Sequence, residues 1–235
     1  MMLPDCSKLA PATPSRWLKP FGVLLAAALL GAPWIAPAQA QESVLAKTPT
    51  AGFILVLGDS LSAEYGLKRG TGWVALLEKQ LASEKKRARV VNASISGETT
   101  SGGRSRLPAL LAQHRPSTVV IEVGGNDALR GLPLDMTEKN LAAMTQASKK
   151  AGAKVLLIGM QVPPNYGEAY GSAFARLFVK VAKAETVALV PFLLKGIADA
   201  DDPIANFQAD RIHPNEASQA KMLANVWPEL KKLIK

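Results

Sequence analysis

From residue 52 onward, short apolar runs alternate with segments whose apolar positions recur every three or four residues. The runs Phe53–Leu57, Arg89–Ala93, Thr118–Val123, Lys154–Gly159 and Thr186–Val190 predict five strands. Between and after them, helical spacing joins Trp73, Leu76, Leu77 and Leu81, then Leu107, Leu110 and Leu111, then Leu141 and Met144, then Phe174, Leu177, Phe178 and Val181. A last helix carries Met222, Leu223, Val226, Trp227 and Leu230. Near-continuous apolar strands, each followed by a helix, predict an α/β domain with a parallel sheet covered on both faces. No repeat, low-complexity tract or interdomain linker interrupts the pattern, so one domain is expected over residues 51–235, with residues 41–50 as an N-terminal extension. Sheets of this kind bind ligands at the carboxyl ends of their strands.

The first forty residues follow a different rule. Arg16 and Lys19 precede an apolar run from Phe21 to Leu30, which is broken by Gly31, Pro33 and Pro37 and followed by Ala38-Gln39-Ala40. That order of charge, apolar stretch and small residues is a signal peptide, with cleavage expected after Ala40 and the mature protein periplasmic, or secreted as the alternative. A membrane anchor fits less well, because a spanning helix needs about 20 apolar residues without such interruptions. The single cysteine, Cys6, lies upstream of the apolar run, so the mature chain would hold none and no internal disulfide forms. His114 and His213 are the two histidines, too few for a structural zinc site.

The net charge of +9 comes partly from that leader, whose removal takes three basic residues and one acid with it. The remaining positive clusters, Lys85-Lys86-Arg87, Lys149-Lys150 and Lys231-Lys232, fall mostly at the ends of predicted helices, where cations favour the helix dipole. Aromatic residues do not interleave with them, which favours a solvated face over nucleic-acid binding and leaves weak contact with anionic lipid open.

Polar residues at the strand ends carry the chemistry. Strand one is followed by Gly58-Asp59-Ser60-Leu61-Ser62, strand two by Asn92 to Thr100, and strand three by Gly124-Gly125-Asn126-Asp127. Asp210-Arg211-Ile212-His213-Pro214 precedes the last helix. Pro214 suits that helix's first turn and pushes His213 toward extended backbone, so a turn from Asp210 brings a carboxylate to Nδ1 and leaves Nε2 as a base. Ser60 is the best-placed hydroxyl to use it, since a free serine is a poor nucleophile. Acyl transfer also needs donors for an oxyanion, and Ser60 N–H, Gly97 N–H and the Asn126 amide are the candidates. Each residue alone also fits a plain role: polar turn, turn glycine, left-handed Asn, capping Asp and surface His. His114, at the end of a predicted helix with no carboxylate beside it, reads as structural.

Taken together, the four blocks resemble the SGNH, or GDSL, hydrolase family, and within it the exported bacterial thioesterase, lysophospholipase and arylesterase branch. The likeness runs through Asn92 to Gly97, Leu107 to Leu111, Gly124 to Gly131 and Pro164 to Gly167, covering nearly all of the mature chain. It departs at Glu98, where close relatives usually carry Asp. The resemblance implies a flavodoxin-like, three-layer α/β/α sandwich with strand order 2-1-3-4-5 and no metal or organic cofactor. It also implies a monomer that hydrolyses small-molecule acyl esters or thioesters through Ser60, His213 and Asp210. Leu129, Leu132, Pro133, Leu134, Pro163 and Tyr166 are expected to line an acyl groove, although the leucines also fit as core contacts under a loop. A carbohydrate acetylesterase and a non-catalytic lipid-binding module are the alternatives.

Other motifs fail on context. Gly70 to Ala75 fits a loose dinucleotide fingerprint, but no strand directly precedes it. Ser83 and Lys86 have a β-lactamase-like spacing without the companion elements. Among Asp199, Asp201 and Asp202, Ile204 occupies the position where a calcium loop needs glycine.

Overall fold

A computed structural model describes residues 52–234; the leader, its cleavage point and the extension over 41–50 lie outside the described residues. Five parallel strands, β1 (Gly52–Gly58), β2 (Ala88–Asn92), β3 (Thr118–Glu122), β4 (Lys154–Ile158) and β5 (Ala188–Val190), form one sheet in the order β2-β1-β3-β4-β5. The helices are α1 (Trp73–Ser83), α2 (Thr100–His114), α3 (Gly125–Leu129), α4 (Leu134–Lys150), α5 (Glu168–Glu185) and α6 (Gln219–Leu233). Helices α1 and α6 pack together on one face, and α2, α4 and α5 pack in series on the other. Among the described residues, no helix is long and apolar enough to cross a membrane.

The core is formed by the strands together with the apolar faces of the helices packed on them. Ile54 to Leu57 and Val119 to Ile121 are fully buried, as both-face coverage requires, whereas edge strand β2 is only partly covered. Phe174 and Phe178 of α5 meet edge to face, with ring centroids 5.3 Å apart, beneath the end of β3. At Gly124 the backbone adopts φ +123, and a side chain there would meet the Phe178 ring at 3.3 Å. Gly103 of α2 packs closely, where an added Cβ would stand in van der Waals contact with Leu57 and with Met144 of α4.

Two local expectations are corrected. Strand β5 begins at Ala188, not Thr186, because Thr186 takes a left-handed conformation (φ 53) that ends α5, with Val187 N–H donating back to the Ala182 carbonyl. Pro214 lies outside the final helix. It forms an isolated antiparallel bridge with Phe207, and a 3₁₀ turn over Glu216–Ser218 intervenes before α6.

The chain leaves β1 for β2 on one side and places β3 on the other. The strand order therefore reverses at β1, and the carboxyl ends of β1 and β3 flank the switch point at which sheets of this kind have their ligand crevice.

Candidate active site

Strand β1 delivers Ser60 to the mouth of that crevice. Gly58, the last strand residue, is required for space: a Cβ there would lie 2.7 Å from Ser62 and 2.8 Å from the Glu122 carboxylate. Immediately after it, Asp59 N–H donates to the Glu122 carbonyl (3.2 Å), and Ser62 and Ala63 N–H both donate to the Asp59 carbonyl, closing a tight turn around Ser60.

His213 arrives from the loop before α6. Its Nε2 lies 2.8 Å from Ser60 Oγ, and its Nδ1 lies 2.7 Å from Asp210 Oδ2. The other carboxylate oxygen of Asp210 accepts the backbone N–H of Ile212 (2.9 Å) and of His213 (3.0 Å). Desolvation works against ionisation of Asp210, but the hydrogen bonds from His213 and Ile212 outweigh it and hold its pKa down at about 2. The carboxylate is therefore charged at neutral pH and fixes the orientation of the imidazole. His114 ends α2 at the opposite edge of the sheet, far from this chemistry.

The other two blocks converge on the same turn. Asn126, in α3, donates from Nδ2 to Asp59 Oδ2 at 3.1 Å, so its amide is held by the residue next to Ser60. Ile95 N–H donates to the Gly58 carbonyl (3.0 Å), which seats the loop after β2 beside the end of β1. Gly97, at φ +80 on that loop, has its carbonyl held by Arg130 Nη2 at 3.1 Å. Among the described residues, the N–H groups of Ser60 and Gly97 have no protein acceptor, so both remain free to donate to a ligand. Glu98 is tied to Arg106 (2.6 Å), which also reaches the Ala93 carbonyl, and Gly102 leaves the space its carboxylate fills. The longer acid thus anchors the Gly97 loop to α2.

Behind Ser60 and His213 lies a buried acidic network that the sequence reading missed. Glu122 ends β3 inside an otherwise apolar run; it accepts from Ser62 Oγ (2.6 Å), whose oxygen in turn accepts from the Trp73 indole (3.1 Å). Burial, reinforced by the charge of Asp59, pushes the Glu122 carboxyl well above its ordinary range. Burial also raises Asp59 to about 6, against the opposing pull of the Leu61 N–H, the charge of His213 and the Asn126 amide. Asp127, fully buried, accepts from Thr100 N–H (2.8 Å) and from the Thr100 hydroxyl, joining α3 to the start of α2.

The expected groove residues are divided between surface and core. Leu129, Pro133, Pro163 and Tyr166 are exposed, and the Tyr166 hydroxyl lies 3.5 Å from the Leu129 carbonyl, bringing the loops after β3 and β4 together. Leu132 is half-buried, with its N–H on the Asp127 carbonyl, and Leu134 opens α4 and packs against the core.

A family model described as the GDSL-like lipase/acylhydrolase family matches residues 56–221. The chain is 52% identical over 191 residues to esterase TesA of Pseudomonas aeruginosa, covering 81% of this chain and 94% of that protein. It is 42% identical over 173 residues to thioesterase 1/protease 1/lysophospholipase L1 of Escherichia coli strain K12, covering 74% and 80% respectively. A crystal structure of TesA superposes with a TM-score of 0.75 at 54% identity, covering 77% of this chain and 99% of that one.

Proposed function

Since the chain belongs to the GDSL-like lipase/acylhydrolase family, we propose that it hydrolyses carboxylic esters and thioesters through an acyl-enzyme on Ser60, with His213 as base and Asp210 as its orienting partner. One observation carries this reading: the continuous hydrogen-bonded chain from Ser60 Oγ through His213 to Asp210, spanning residues 153 positions apart. In the first step Ser60 Oγ attacks the carbonyl carbon, its proton passes to His213 Nε2, and the carbonyl electron pair moves onto oxygen. Ser60 N–H, Gly97 N–H and Asn126 Nδ2 hold that oxyanion. Its collapse expels the alcohol or thiol, which takes the proton from His213. Water then attacks the acyl-enzyme by the same route and releases the acid.

The names of the similar proteins, an esterase and a thioesterase/lysophospholipase, support acyl substrates of this class. Exposed Leu129, Pro133, Pro163 and Tyr166 offer apolar surface beside the crevice for an acyl chain of medium length. Export with cleavage after Ala40 and action as a periplasmic monomer belong to the same proposal, supported by the charge and apolar order of residues 16–40.

The deciding experiment replaces Ser60 with Ala and follows p-nitrophenyl ester hydrolysis together with fluorophosphonate labelling. Both are expected to vanish in a folded protein; near-normal turnover overturns the assignment. A chain-length series of esters and thioesters, with acetyl-xylan as comparison, then separates acyl-chain hydrolysis from carbohydrate deacetylation, and ligand binding without labelling would identify a lipid-binding module.

A further inference from the structure

His213 and Ser60 come from separate loops, so something must hold one loop against the other. The hydrogen bonds within the His213 loop make it a unit: Gln208 N–H donates to the His213 carbonyl (2.8 Å), Arg211 N–H donates to the Gln208 carbonyl (2.9 Å), and Phe207 bridges to Pro214. Asp210 belongs to the same unit. It orients the imidazole within the loop but does nothing to set the distance from the loop to Ser60.

Besides the Ser60–His213 hydrogen bond itself, two contacts cross among the described residues. The side-chain amide of Gln208 donates to the Tyr65 carbonyl (2.9 Å) on the Ser60 side and to the Pro214 carbonyl (3.2 Å) on the His213 side. The Tyr65 ring lies against the imidazole of His213, with centroids 4.4 Å apart and planes at 38°. Tyr65 itself closes the nucleophile turn, its N–H reaching the Ser60 carbonyl at 3.4 Å. Gly66 is built for this approach: at φ +69, a Cβ there would stand 2.0 Å from Gln208 Oε1. On the residue before Tyr65, the Glu64 carboxylate accepts the N–H groups of Gly70 (3.0 Å) and Gly72 (2.9 Å) and so fixes the loop that follows Tyr65.

From these contacts we infer that Tyr65 and Gln208 are positioning residues that together hold the His213 imidazole over Ser60; the inference rests on the serine-hydrolase reading. During turnover the imidazole gains a proton from Ser60 and hands it to the leaving group, so it must stay within hydrogen-bond reach of both. The ring face of Tyr65 blocks its outward swing and presents π-electron density to the imidazolium. Gln208 suits its role because a primary amide has two N–H groups, one for a carbonyl on each loop. A displacement of about 1 Å at a reacting group costs up to about 10²-fold in rate, so a loosened latch is read in kcat.

The test uses the full chain and the variants Q208A, Q208E, Y65A and Y65F, with kcat and KM for a p-nitrophenyl ester, the rate of fluorophosphonate labelling, and Tm. Q208E is nearly isosteric but donates to neither carbonyl. Q208A, Q208E and Y65A are expected to lose about tenfold or more in kcat with KM within about twofold, and labelling is expected to slow in parallel. Y65F restores most of the rate, since the ring face and not the hydroxyl is invoked. The double variant Y65A/Q208A loses little more than the worse single variant, as expected of one unit. The inference is overturned if Q208E and Y65A keep wild-type kcat and labelling, if either residue matters without the other, if the loss falls on KM alone, or if Y65F fails as badly as Y65A. An active S60A would instead defeat the serine mechanism itself, whereas an inactive S60A beside a normal Q208E would defeat only the latch.

Discussion

Asp59 sits in surroundings that oppose its charge, and this has two consequences at the scale of the residue. Its folded-state pKa, about 6, lies above the ordinary 3.8, so the native state holds the proton more tightly than the unfolded chain. The stabilising effect of that proton is fully present below about pH 4 and is lost as pH rises through about 6. Replacing Asp59 with Asn removes this loss. Denaturant titrations of both proteins should therefore show D59N gaining roughly 2–3 kcal/mol relative to wild type between pH 4 and pH 7; a constant difference across that range would contradict the burial argument. The same substitution leaves a single acceptor oxygen for the two donors that Asp59 holds, the Leu61 N–H and Asn126 Nδ2, so either the turn around Ser60 or the Asn126 amide loses its anchor. Both D59N and N126A are then expected to lower kcat by about 10²–10³ with little change in KM, measured on a soluble ester. Glu122, by contrast, was not legible as a neighbour of the site, because an acid at the end of an apolar strand run gives no periodic signal of what it will face.

Among the elements, the parts most legible in sequence were those buried on both faces. Strands β1, β3 and β4 emerge within a residue or so of their apolar runs, because their central residues are all buried and apolar, with exposed or polar positions only at the ends (Phe53, Thr118, Glu122 and Lys154). The start of β5 was not legible, since Thr186 is drawn into the close of α5 by backbone hydrogen bonds that apolar spacing does not encode. Pro214 misled for a related reason: a proline suits a helix's first turn, but here it is tied to Phe207 across a loop. The four polar blocks stood out because each directly follows a strand or precedes the last helix. Gln208 and Tyr65, 143 positions apart, had no such marker. Gly124 links element to site, because its φ of +123 lets the start of α3 come down on Phe178 of α5. G124A should therefore strain the backbone, press on that ring and shift Asn126. Lower Tm together with reduced kcat is the expected result, and a variant with unchanged turnover would show that α3 is placed by other contacts.

Across the whole molecule, the two edges of the sheet have opposite characters. Ser60, Gly97 and Asn126 follow the carboxyl ends of β1, β2 and β3. Lys85, Lys86, Arg87 and Lys154 line a depression of about 620 Å³ at the amino ends, beside Gly52 and Ser117. Strand β1 has seven residues and so separates the two edges by about 23 Å, more than twice the screening length of about 8–10 Å at physiological salt. Replacing Lys85, Lys86 and Arg87 with Gln should leave kcat/KM for a neutral soluble ester within about twofold at that salt concentration. A larger change would mean that the positive edge communicates with the crevice through the fold rather than through its field.

The nucleophile follows the first strand and the imidazole precedes the last helix, with the rest of the sheet made between them. During synthesis, a chain that has passed residue 60 but not 213 holds an inert hydroxyl. With Ser60 acting through His213 as proposed, reactivity toward acyl groups would begin only once nearly the entire domain has emerged and closed, so a product ended before residue 213 would carry no stray hydrolytic activity.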